Sequence, residues 1–66
     1  MIAFEVKDMT CGHCVGAITR AVKGVDKDAE VDIDLERHRV EIETAHADAR
    51  TIADAISEAG YTPLPA

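Results

Sequence analysis

A chain of 66 residues has room for one hydrophobic core, and at this size folding buries only about 60% of the surface the unfolded chain exposes, which leaves little volume for a catalytic pocket. Thirteen acidic residues against seven basic ones give a net charge of −6, so no basic face is available for nucleic acid or for an anionic membrane surface. With 47% hydrophobic residues and only Phe4 and Tyr61 as aromatics, the core must be built from Ile, Val, Leu and Ala.

The first segment, Ile-Ala-Phe-Glu-Val-Lys over residues 2–7, alternates. Ile2, Phe4 and Val6 point one way and Ala3, Glu5 and Lys7 the other, as in a half-buried strand. Residues 8–13 read as a loop. From Cys14 the period becomes helical, with Val15, Ile18, Val22 and Val25 on one face and Gly24 placed to end the helix. Arg20 and Lys23 on its exposed side read as solvated charges.

Alternation returns over residues 29–35. Ala29, Val31, Ile33 and Leu35 face inward, and Glu30, Asp32 and Asp34 face outward. Residues 36–39 form a polar turn, after which Val40 and Ile42 alternate with Glu41 and Glu43, predicting an antiparallel hairpin. A second helix is expected over residues 48–59, with Asp48 as N-cap, a buried stripe of Ile52, Ala55, Ile56 and Ala59, and Gly60 after its end. Residues 61–64 form a last short strand. Pro63 and Pro65 confine it to a sheet edge, because proline has no N–H for a ladder.

The order βαββαβ predicts an α+β, ferredoxin-like split βαβ sandwich, a four-stranded antiparallel sheet with both helices on one face, as a single domain over residues 1–66. Its outward sheet face would carry Glu5, Glu30, Asp32, Asp34, Glu41 and Glu43. Met1 leads into a polar-interrupted strand rather than an apolar leader, and no apolar run reaches membrane-spanning length. With residue 1 as the start, the expected location is the cytoplasm. Two cysteines in a reducing compartment point to metal binding or redox chemistry rather than a structural disulfide.

Both cysteines lie in Met9-Thr10-Cys11-Gly12-His13-Cys14, at the junction of the first strand and helix. There the N–H groups and positive dipole end of the helix favour thiolate over thiol. Thiolates are soft donors that select Cu(I), Zn(II) or iron–sulfur clusters over Mg or Ca. A structural zinc site takes four ligands and iron–sulfur clusters usually four cysteines, whereas two thiolates satisfy a two-coordinate Cu(I) ion. Such an incomplete shell also lets a thiolate from another protein attack the ion and carry it off.

This hexapeptide, after a first strand in a βαββαβ chain, resembles the heavy-metal-associated domain family. Its members are small copper chaperones and the N-terminal metal-binding domains of copper-transporting P-type ATPases. The resemblance covers essentially the whole chain. It implies that Cys11 and Cys14 are the metal ligands, that Met9 is the buried methionine anchoring the loop, and that Tyr61, in a Gly60-Tyr61 pair, lies near that loop. It further implies a cytosolic Cu(I) carrier, not an enzyme, that delivers its ion to the Cys-x-x-Cys domain of a copper-transporting ATPase. Two monomers with exposed sulfurs could also share copper face to face as a metal-bridged homodimer.

Two positions depart from the family pattern. Asp8 stands where a glycine is common, adding a negative charge near the site. Thr10 stands where zinc-transporting relatives carry an acid, which favours copper and leaves Zn(II), Cd(II) or Hg(II) as alternatives. An excised ATPase domain would look the same at this length. Cys-Gly-His-Cys is also the tetrapeptide of protein disulfide isomerases, but those enzymes resemble thioredoxin, with a tryptophan before the first cysteine, and this chain has no Trp. His13 is expected to point to solvent and modulate the thiolates rather than ligate. His38, in the hairpin turn, and His46, before the second helix, are expected to be ordinary surface residues.

Overall fold

The computed structural model describes residues 2–10 and 12–66. Six elements follow the expected order: β1 (Ile2–Glu5), α1 (Gly12–Val25), β2 (Glu30–Asp34), β3 (Arg39–Glu43), α2 (Ala49–Glu58) and β4 (Leu64–Pro65). The strands form one antiparallel sheet in the order β2-β3-β1-β4. This is the ferredoxin-like βαββαβ fold.

Register divides the sheet into two chemically opposite faces. Phe4 pairs with Val40 and Val40 with Ile33, while Ile2 pairs with Ile42 and Ile42 with Val31. These rows face the helices, where Phe4, Val40 and Ile42 join Val6, Met9, Cys14, Ile18, Val22, Ala29, Ile52 and Ile56 in the core. The opposite rows place Glu5 and Asp34 beside Arg39, Asp32 beside Glu41, and Glu30 beside Glu43. A one-residue slip would bury those acids, so the alternation pins the register.

The helices differ in detail from the sequence expectation. α1 begins at Gly12, two residues before Cys14, and runs through Gly24 to Val25. Gly24 therefore does not end the helix: the Asp26 N–H donates to the Val22 carbonyl at 3.0 Å and carries the ladder past it. The buried stripe is Cys14, Ile18 and Val22, at i, i+4 and i+8, with Val15 half-buried and Val25 38% exposed at the rim. In α2 the buried stripe narrows to Ile52 and Ile56; Ala55 is half-buried and Ala59 is exposed.

Both ends of α2 are capped as predicted. The Asp48 carboxylate accepts from the Thr51 N–H at 2.8 Å, which also lowers its pKa. At the far end the Gly60 N–H donates to Ser57 O and the Tyr61 N–H to Ile56 O. That is a Schellman motif, and it needs Gly60 at φ 100°, a conformation glycine adopts without a Cβ clash. The motif turns Tyr61 back against the core. β4 is shorter and later than expected, Leu64–Pro65, and it occupies the edge beside β1.

Among the described residues Asp26 is the buried carboxylate, 7% exposed. It accepts from the Thr44 hydroxyl and from the Asp28 N–H, tying the α1–β2 turn to the segment after β3. The Thr44 bond, then the Asp28 bond, and more weakly the charge of His46 hold its pKa below the ordinary 3.8, against the opposing effect of burial. A depressed folded pKa contributes stability that is present above 3.8 and lost as pH falls through the lower folded value. Asp26→Asn should therefore lower Tm at neutral pH, with the gap to the parent closing below 3.8. Tm measured from pH 7 downward checks this; a gap that stays constant would contradict it.

Candidate metal centre

The chain leaves β1 through a turn in which the Met9 N–H donates to the Val6 carbonyl at 3.2 Å. β1 thus stops at Glu5 rather than reaching Lys7. Met9 is fully buried, 0% exposed, and its side chain plugs the loop into the core. Thr10, Gly12 and His13 are exposed. Cys14, the third residue of α1, is 7% exposed and belongs to the core cluster. The expectation that both sulfurs are exposed is corrected for Cys14, because its place on the helix turns it inward in line with Ile18 and Val22. Cys11 lies outside the described residues, so the pairing of the two thiolates remains an expectation of the motif.

His13 stands at the second residue of α1, facing solvent as anticipated. Tyr61 is half-buried and packs against the core cluster that holds Met9 and Cys14. Asp8 takes a different part: its carboxylate accepts from the Thr62 N–H at 3.2 Å. The charge that departs from the family pattern therefore ties the loop to the segment before β4.

His38 is not an ordinary surface residue. It is part-buried, and its ring Nδ1 lies 2.9 Å from the Met9 carbonyl oxygen. Its own carbonyl accepts from the Val6 N–H at 2.7 Å. Both contacts depend on a backbone at φ 55°, a left-handed conformation uncommon outside glycine, which the turn around Asp34 supports by accepting from the Glu36 and Arg37 N–H groups. Sequence gave no local sign of this, since the contact joins residues 29 positions apart. His46 is exposed, as expected.

The loop before Cys11 is therefore held on three sides, by the Met9 plug, by His38 and by Thr62. Holding the segment that leads into a binding loop lowers the backbone freedom lost when a ligand binds there.

The heavy-metal-associated domain model matches residues 3–62. The chain is 37% identical to the copper chaperone CopZ of Enterococcus hirae over 60 residues, covering 88% of this chain and 87% of that one. A copper chaperone Atx1 structure from Synechocystis superposes with a TM-score of 0.91 at 33% identity, covering 96% and 98% of the two chains. A gold-binding protein superposes over the full length of both chains with a TM-score of 0.93 at 32% identity. With the fold, the hexapeptide and these likenesses in agreement, the chain belongs to the heavy-metal-associated domain family.

Proposed function

We propose that this chain is a copper(I) carrier in which the Cys11 and Cys14 thiolates hold one ion as cargo. The observation that carries the reading is the placement of Cys14 in the first turn of α1, in one core cluster with a fully buried Met9, within the Met-x-Cys-x-x-Cys spacing. Similarity to the E. hirae copper chaperone supports copper as the ion. Residues 1–66 act as a single unit in this reading, and the chain performs no catalysis.

Delivery proceeds by ligand exchange. A thiolate of the receiving Cys-x-x-Cys domain, the metal-binding domain of a copper-transporting P-type ATPase, forms a bond to Cu(I) and gives a three-coordinate intermediate. One S–Cu bond of this chain then breaks with its electron pair staying on sulfur, and the second thiolate of the receiving domain binds the ion. The remaining S–Cu bond of this chain breaks in the same way, and the two released thiolates take up protons from water. Copper stays Cu(I) throughout. Such exchange belongs in the cytoplasm, where thiols are kept reduced. Among the described residues no helix is long and apolar enough to cross a membrane.

His13 and Tyr61 act on this site as modulators, His13 from the solvent side and Tyr61 through its packing. Zn(II) is the competing cargo, and one structural relative at 33% identity bears the description "Crosstalk between Cu(I) and Zn(II) homeostasis". A competition titration of the reduced chain with Cu(I), Zn(II) and Hg(II) tests the assignment. The expected result is one Cu(I) per chain, held against an excess of Zn(II). Preferential retention of Zn(II) would overturn copper as cargo, and insulin reduction at the rate of a disulfide isomerase would overturn the carrier reading itself.

A further inference from the structure

We infer that His38 is a positioning residue for the metal loop: its imidazole holds the Met9 carbonyl and thereby fixes the backbone that leads into Cys11. The inference rests on Cys11 and Cys14 being the metal donors. A carbonyl oxygen can only accept, so the 2.9 Å contact makes Nδ1 the donor, and Nδ1 carries a proton. His38 also accepts the Val6 N–H through its own carbonyl. One turn residue thus grips the chain at both ends of the four-residue turn that the Met9 N–H to Val6 carbonyl bond closes.

The backbone of His38 supports the same conclusion. Left-handed φ in a residue with a Cβ costs energy and persists where the surroundings hold it. A glycine or asparagine would suit that turn at less cost. Neither glycine nor a shorter hydroxyl side chain would put an imidazole N–H on the Met9 carbonyl. The sheet supplies the lever, because β3 pairs with β1 from Arg39 and Glu5 onward, bringing residue 38 directly beside the loop.

Two substitutions separate the ring's hydrogen bond from the turn's backbone. His38→Gly accepts the left-handed backbone and removes the donor. His38→Asn also tolerates that backbone and keeps an N–H at the δ position, matching Nδ1 in its distance along the side chain. The first measurement is amide hydrogen exchange at Met9 and Thr10 in the metal-free chain, referred to the amides of β3. The second is Cu(I) affinity by competition with a chromophoric chelator. His38→Gly is expected to speed loop exchange relative to β3 by about fivefold and to weaken Cu(I) binding by about the same factor, the loss of one net hydrogen bond. His38→Asn is expected to restore most of both.

Parent-like loop exchange in His38→Gly overturns the inference, as does His38→Asn behaving like His38→Gly. Parent-like Cu(I) affinity in His38→Gly, with faster exchange, overturns the link to the metal. A parent chain that binds no Cu(I) would instead refute the proposed function, and the exchange comparison would still decide whether His38 fixes the loop.

Discussion

Cys11→Ser/Cys14→Ser is expected to abolish Cu(I) binding while the βαββαβ fold survives. Two thiolates are the whole proposed donor set, and a serine hydroxyl is a poor ligand for a soft ion, so copper should fall from one per chain to none. Part of any stability change has a separate origin. Cys14 is 7% exposed, so substituting it alters packing in the core cluster. Cys11→Ser/Cys14→Ala is a second variant that brings no hydroxyl into that position. Far-UV circular dichroism and Tm report the fold, and copper stoichiometry after gel filtration reports the site. Copper retained at one per chain in a folded double variant would refute the donor assignment.

Substituting Met9 distinguishes a plug from a ligand. Its side chain is fully buried, and truncating such a residue to alanine costs about 2–5 kcal/mol. At about 0.05–0.15 kcal/mol per residue, the whole chain has only about 3–10 kcal/mol of stability. Met9→Ala should therefore lower Tm by about 10 °C or more and weaken Cu(I) binding as the loop loses its anchor. Met9→Leu keeps the volume, removes the sulfur, and should cost less than about 1.5 kcal/mol. Its Cu(I) affinity should match the parent's. A Leu variant that keeps its Tm but loses copper would make the thioether a donor and overturn the plug.

How much of this was legible in the sequence depends on the range of each interaction. Strand faces were readable because alternation has a period of two and the burial it implies is local. The same holds for the α2 caps, where Asp48 and Gly60 act within one helical turn of their own positions. The end of α1 is not legible in the sequence, because Gly24 resembles a stop signal while the Asp26 N–H to Val22 carbonyl bond carries the helix past it. Inward orientation of Cys14 follows from its i, i+4, i+8 spacing to Ile18 and Val22 on α1. The frame around the metal loop was least legible, since His38 and Thr62 reach it from positions 29 and 54 residues away. Only the pairing of β3 and β4 with β1 brings them there.

The two margins of the sheet bear on how the molecule keeps to itself at high concentration. On β2, Glu30, Asp32 and Asp34 are exposed along the outer strand. Pro65 on β4 and Pro63 just before it have no N–H to offer at the other margin. A second chain aligning its backbone there would meet like charge on one side and missing donors on the other. Strand addition, the usual route from a small sheet to a fibril, is thereby discouraged at both margins, and encounters between molecules are left to the loop end, where an ion can be passed on.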